Sequence, residues 1–480
     1  MIGPDDLSAE TVGTQIRFGG TAAIRFDTYF GSFFEQHWRL HTRLDELAVS
    51  VHVRGDALVQ VWRRSSLGET LVGEQVTDGR GAEIAIPHDP INHRQYGLLF
   101  LTIAARGAPV VMEGAEWIAR NAAADPVGLA AVFCTFNREA DIARLLTHLA
   151  DNDATLAALA RVVVVNQGRP GLLQYPHIAA AAHRMGDQLM MIEQDNFGGA
   201  GGFTRGLMAA LDDQAATHFV FLDDDIRIEP ESLCRLAAFF ALASRDIAVG
   251  GHMLDLLQPQ RLFEAGATIG DRNWGFLPQH HMVDLIDPMR LVDLTEPQAV
   301  HYCGWWCFGA PLRLVREVGL PLPCFIRGDD LEYGLRLHGR GIPNVPMPGI
   351  AVWHEPFYLR IGGWQLYYET RNMLVAGALH LDFAPHRVAA RMAKHLLLHL
   401  LTFRYYSAAL VIRGIEDFLT GPAILDGDPA VLHATLAPLR AAYPQNTTPC
   451  YTVLPRAEIP PLPRGRNGYR ARFILALLRN

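Results

Sequence analysis

The chain has 480 residues, half of them hydrophobic, which exceeds one ordinary core and points to two or three folded domains. Its formal charge of −8 argues against nucleic acid as a partner, and six scattered cysteines do not form a disulfide framework. No apolar run reaches membrane-spanning length, and the opening "MIGPDDLSAE" lacks the basic and apolar regions of a secretory signal, so a cytoplasmic location is expected.

Up to about residue 120 the pattern is all-β. "LAVSVHV" alternates with period two, "RGDA" supplies a turn, and "LVQVWRR" resumes the alternation. "GAEIAIP", "YGLLFLTIAARGAP" and "VVMEGAEW" continue it, which predicts an N-terminal β-sandwich over 1–124. Trp38 and Trp62 in this region read as core residues rather than sugar platforms.

From 125 to 368 strands alternate with helical stretches. "GLAAVFCTF", "RVVVVNQG", "LMMIEQDN" and "THFVFLDDD" are apolar runs with polar ends, and "READIARLLTHLADN" has helical spacing. Such a progression builds a Rossmann-like, mostly parallel sheet, and ligands bind at the carboxyl ends of its strands. After 369 the chain reads as helical, including one long stretch "RVAARMAKHLLLHLLTFRYYSAALVIRGIEDFL". From Glu369 onward 13 Arg/Lys face 7 Asp/Glu, a balance of +6 against −14 for the rest. Basic charge joined to apolar helix suggests peripheral contact with a membrane through this C-terminal region; a core helix or a homo-oligomer contact is the competing use.

Four motifs in the central region carry chemistry. In "DNFGGAGGFTRG" four glycines lie within five residues, allowing close backbone approach to a ligand at a helix start that suits an anion. In "FLDDDI" Asp223 and Asp225 project to one side of an extended chain and can share a divalent cation, with Asp224 turned away. Oxygen ligands of this kind suit Mn2+ or Mg2+. "GDDLEYGLR" sets Asp329 and Asp330 at a helix start, where the dipole favours the ionised carboxylate and a second acid can accept a proton. "HYCGWWCFGAP" offers Trp305 and Trp306 in a Gly-flanked, exposed turn, with core burial of one of the two as the competing reading. Cys303 and Cys307 lack a second pair with zinc-ligand spacing.

Together with "CTFNR" and "VWHE", these motifs resemble an inverting family 2 glycosyltransferase of the GT-A fold over about residues 128–373, and within it the galactofuranosyltransferase branch. The resemblance implies an N-terminal β-sandwich, a central GT-A domain and a C-terminal helical region. It implies that Arg138, Asn166, Asn196, Asp223 and Asp224 meet the nucleotide-sugar. It further implies that Asp223, Asp225 and His354 hold Mn2+ or Mg2+, that Asp330 is the catalytic base with Asp329 on the acceptor, and that Trp305 and Trp306 wall the acceptor. Asn166 stands in "VNQG" where the family pattern carries an Asp. The implied partners are a UDP-sugar donor, UDP-galactofuranose first, and a glycan or lipid-linked acceptor reached at the inner face of the cytoplasmic membrane. A rhamnosyl or glucosyl donor, or a non-catalytic carbohydrate-binding protein of the same fold, are the competing readings.

Overall fold

The computed structural model describes residues 9–443 apart from 13–14, 21, 80, 88–96, 271–274 and 358–362. The chain divides into two compact units, 1–361 and 362–480. The division expected between 368 and 369 falls inside the helix Gln365–His380 instead.

The first unit begins with two five-stranded sheets whose pairings are antiparallel. Strands Glu46–Arg54 and Asp56–Ser65 send alternate side chains inward, and Val49, Val51, Val59, Val61 and Ile103 meet in one core. The predicted sandwich is therefore present. Strand Gly68–Asp78 escapes sequence detection because it is a sheet edge, mostly exposed, with no apolar face to alternate. Trp38 stacks on Phe33 at 5.4 Å and meets Phe239 edge-on at 5.0 Å, so it packs rather than presenting an open platform.

The central sheet has ten strands. Leu129–Thr135 lies between Leu159–Asn166 and His218–Asp223, parallel to both, and Leu189–Glu193 lies outside Leu159–Asn166. Chain order thus reverses beside the first strand, and the crevice at that reversal opens at the carboxyl ends, at Thr135 and Asp223. Next to His218–Asp223, Cys307–Pro311 runs antiparallel, and Ala248–Asp255 runs antiparallel to that in turn. Asn344–His354 is parallel to Ala248–Asp255, which returns it to the direction of the first strands. His354, last in its strand, therefore reaches the same edge as Asp223 from 131 positions away in the chain.

The glycine run Gly198–Gly202 is not a loop but the first turns of helix Gly198–Asp212. Its bare backbones admit protein, not ligand: a Cβ on Gly202 would lie 2.0 Å from the Cys134 sulfur, and one on Gly198 would lie 2.1 Å from the Phe325 carbonyl oxygen. That carbonyl accepts a hydrogen bond from the Ala200 amide at 3.0 Å, and the Asn196 side chain accepts from the Gly198 amide at 2.9 Å. Those two helix-start donors are already used.

In the second unit, helices Pro385–Leu401 and Tyr405–Leu419 replace the single long helix expected. Phe403 takes the left-handed conformation at φ 57°, while the amides of Phe403 and Arg404 bond back to Leu400 and His399 at 3.1 and 2.8 Å. This is a Schellman stop, which needs one left-handed residue but not a glycine. The basic, Pro-rich stretch at 455–480 lies outside the described residues.

Candidate active site

Asp223 ends its strand and Asp225 follows two positions on, in the turn that leaves the sheet edge. Their carboxylates and the His354 imidazole offer ligand atoms within 4.8 Å of one another. His354 Nε2 is 3.5 Å from Asp223 and 3.2 Å from Asp225, and its Nδ1 donates to the Glu355 carbonyl at 2.7 Å. That second bond orients the ring with Nε2 toward the carboxylates, as imidazole ligands commonly are. Burial disfavours the imidazolium, yet the hydrogen bonds and charges of Asp223 and Asp225 outweigh it and raise His354 to about 10. Two carboxylates and one imidazole converging on one point fit a divalent ion such as Mn2+ or Mg2+.

Arg138 caps the neighbouring edge. Its guanidinium reaches Asp225 at 2.8 Å and Asp224 at 4.0 Å. Asp224 is buried, and burial followed by the charges of Asp225 and Asp223 raises its carboxyl to about 7. It is not among the three groups whose ligand atoms converge.

Asp329 and Asp330 open helix Asp329–Gly339, preceded by Gly328 in the left-handed conformation at φ 77°. Phe325 and Arg327 just before it also have positive φ, 71° and 61°, a conformation costly for side-chain-bearing residues. The same bend presents the Phe325 carbonyl to the glycine helix, where it accepts from the Ala200 amide and ties the start of helix Asp329–Gly339 to it. A Cβ on Gly199 would come within 3.7 Å of the Asp329 carboxylate. The helix dipole does not decide their ionisation. Burial raises both carboxyls above the ordinary range, Asp330 adds to the rise at Asp329, and Asp223 adds to the rise at both. A raised pKa makes Asp330 a stronger base than the helix-start position suggests.

Two sequence expectations meet side chains already committed. Asn166 is buried, donating to Glu193 at 2.8 Å and accepting from the Gly168 amide at 3.0 Å, so it ties two strand ends together and has little left for a nucleotide. Trp305 and Trp306 do occupy a turn, just ahead of strand Cys307–Pro311, but each is only 5% exposed. Successive residues entering the strand Cys307–Pro311 point to opposite faces, which sends Trp305 against Phe221 at 4.8 Å and Trp306 into the other core layer. Trp306 donates to the Gly251 carbonyl at 2.9 Å, and a Cβ on Gly304 would collide with its ring at 2.1 Å. The flanking glycine is a slot for the indole.

Three residues of the site escaped sequence reading. Glu264 ends the strand Arg261–Glu264, and burial, then the charge of Asp330, raises its carboxyl to about 8. Phe357 is half-buried, 5.5 Å from the His354 ring, with the Arg327 guanidinium 5.2 Å over its face. Gln167 bonds the Gly198 carbonyl at 2.9 Å and the Phe197 amide at 2.7 Å, locking the glycine helix to the sheet edge. "VNQG" carried the signal for Gln167, whereas Glu264 and Phe357 stand in no motif.

Residues 126–358 match the family described as glycosyltransferase like family 2, and residues 7–120 match galactofuranosyltransferase 2 N-terminal. Galactofuranosyltransferase GlfT2 of Mycolicibacterium smegmatis is 33% identical over 462 residues, covering 93% of this chain and 71% of the relative. The chain belongs to the galactofuranosyltransferase branch of the family 2 glycosyltransferases. GlfT2 of Mycobacterium tuberculosis is similar at 32% identity over 472 residues, covering 93% and 72%. Among solved structures, GalNAc-T7 with UDP, GalNAc and Mn2+ is a distant match: 14% identity, 48% of this chain, 43% of the other and a TM-score of 0.39. By its family matches and its curated relatives the protein is a glycosyltransferase, and the sandwich in front of the central sheet is this branch's N-terminal module.

Proposed function

We propose that the enzyme transfers galactofuranose from UDP-galactofuranose to a hydroxyl of a glycan or lipid-linked acceptor, with inversion at the anomeric carbon. The observation that carries this reading is the convergence of Asp223, Asp225 and His354 on one point of the crevice that also holds Asp329 and Asp330. Mn2+ or Mg2+ held by those three side chains would neutralise charge on the departing diphosphate. Arg138, tied to Asp225, is placed to turn its guanidinium to a donor phosphate. Asp330 accepts the proton of the acceptor hydroxyl as that oxygen bonds the anomeric carbon on the face opposite UDP. The bond from that carbon to the diphosphate oxygen breaks, and UDP leaves with the electron pair. Asp329 and Glu264 are acids beside Asp330 suited to hydrogen-bonding neighbouring sugar hydroxyls, and half-buried Phe357 and exposed Phe136 and Phe197, not Trp305 or Trp306, are the rings open to sugar contact.

A panel of nucleotide-sugars with Mn2+, monitored for UDP release with and without a galactan acceptor, tests the reading. UDP release with dTDP-rhamnose or UDP-glucose but not UDP-galactofuranose overturns the donor, and full turnover in excess chelator overturns the metal.

The reading places the enzyme in the cytoplasm, at the inner face of the membrane. Among the described residues no helix is long and apolar enough to cross a bilayer. Helix Pro385–Leu401 exposes Leu397, Leu398, Leu400 and Leu401 near Lys394, which supports interfacial contact, with self-association as the rival use. Flotation with anionic and neutral liposomes is expected to recover more protein with the anionic ones. Absence from both removes the membrane contact.

A further inference from the structure

A second concavity lies away from the crevice, where the mouth of the β-sandwich meets helix Glu231–Leu242. Its volume is about 700 Å3, within the ~300–1,000 Å3 range of small-molecule sites. Leu47 and Leu101 line it from the two facing sheets, and Ala238 and Ile350 line it from the central domain. Native interiors keep few voids larger than a water molecule, so an apolar space of this size marks room for an occupant.

Ser32, Arg235, Glu116 and Glu231 interrupt its apolar wall. Ser32 is 3% exposed and its hydroxyl has no hydrogen-bond partner. Arg235 donates to the carbonyls of Phe30 at 2.9 Å and Gly349 at 3.4 Å. Phe30 stands two residues before Ser32, and Phe30, Ser32 and Arg235 all line the cavity. The carboxylate near Arg235 is Glu231, at 3.8 Å and with its side chain 65% exposed, a weak counter-charge. Glu116, the other acid of the lining, is also exposed. Burial lowers the Arg235 pKa, the mark of a cation short of compensation.

We propose that this cavity binds an amphipath, a long apolar chain ending in one anionic head, with the chain between the sheets and the head at Ser32 and Arg235. A sugar is excluded by the walls, which supply too few polar partners for its hydroxyls. A chain without a charged head would leave the Ser32 hydroxyl unpartnered and Arg235 under-compensated. The site is separate from the transfer chemistry, and its test needs no turnover.

Trp38 and Trp117 line the cavity, so intrinsic fluorescence reports occupancy. Oleate and farnesyl phosphate, titrated separately into the full chain below their micelle concentrations, are expected to give saturable, one-to-one quenching. Saturation by either supports the proposal, and the pair distinguishes a carboxylate from a phosphate head. Ala238→Phe, at an exposed position of the lining, is expected to weaken binding at least tenfold while melting temperature and UDP-sugar affinity stay unchanged. Ser32→Ala is expected to weaken it about fivefold. Arg235→Gln is expected to erase the preference for oleate over oleyl alcohol; if that variant does not fold, the other two decide. Absence of saturation, binding only above the micelle concentration, or full affinity in Ala238→Phe overturns the site, and oleyl alcohol binding as tightly as oleate overturns the anionic head.

Discussion

Buried acids are treated differently in the sandwich and in the crevice. In the sandwich, Glu35 has a fully buried side chain but receives Arg39 and Arg63, each at 2.8 Å. Asp27 and Glu69 share Arg25 and Arg64 in the same way. At the crevice, Asp223, Asp224, Asp225, Glu264, Asp329 and Asp330 crowd together, and the guanidiniums of Arg138 and Arg327 with the His354 imidazolium offset only part of their charge. Charge that serves the fold is neutralised from within the chain. Charge that serves chemistry is left for a ligand to neutralise, and the raised carboxyls of the crevice register that difference.

The widest separation between the two regions comes from removing one acid in each. Asp225→Ala is expected to abolish transfer and to weaken UDP-sugar binding in Mn2+ by more than about 100-fold, since a direct ligand should matter at least as much as the outer partners of metal sites. Its melting temperature in chelator should fall less than that of Glu35→Ala, because Arg138 and His354, which pair with Asp225, keep Asp224 and Asp223 beside them. Glu35→Ala is expected to do the reverse, costing about 3–5 kcal/mol of stability by leaving Arg39 and Arg63 without their buried partner. Calorimetric titration and thermal melts on both variants check the pair, and a large stability loss in Asp225→Ala would contradict the contrast.

Within the crevice, Asp330→Asn separates chemistry from binding. The amide keeps the carboxylate's shape but cannot take a proton at neutral pH, so turnover is expected to drop about 10²- to 10⁴-fold with donor affinity nearly unchanged. If initial rates stay near normal, Asp330 is a helix cap and Asp329 becomes the base to test.

Much of this contrast could be read from the sequence, and the remainder has physical reasons for staying hidden. Alternation in "LAVSVHV" and apolar runs ending in polar residues disclosed both sheets, because burial on one or two faces leaves its period in the chain. Asp223 and Asp225 were legible as carboxylates crowded at the polar end of an apolar run, which call for a cation to offset them. The glycine run misled, since bare backbone serves close approach by the Phe325 carbonyl as readily as by a phosphate. Trp305 and Trp306 misled because the glycine beside them reads equally as a turn or as a slot for an indole. The dipole at Asp330 was a local inference, overridden by burial and by carboxylates distant in sequence. Glu264 could not have been found, for a lone acid in "RLFEAGA" acquires its meaning only when the sheet brings Asp330 to it.

Glu264 also provides the finest test of the contrast. Its carboxyl is held at about 8 by burial first and by Asp330 second, whereas in the unfolded chain a glutamate titrates at about 4.3. The folded protein therefore binds this proton more tightly than the unfolded chain does. The contribution to stability is complete below the unfolded value and is lost as pH rises through about 8. Glu264→Gln cannot ionise and escapes that loss. In chelator the two proteins are expected to melt together at acidic pH and to diverge as pH rises, the variant ending roughly 2–4 °C higher on the alkaline side if about 1 kcal/mol is recovered. Parallel melting curves across the whole range would mean that Glu264 is solvated like an ordinary surface acid and does not belong to the charge left for the ligand. A control at Glu69, whose carboxyl lies below the ordinary range although burial opposes this, because Arg64 and Arg25 bond it, should tilt the other way. There Glu69→Gln removes stability that is present at neutral pH and lost only on acidification, so this variant should melt lower than the parent at neutral pH and approach it in acid.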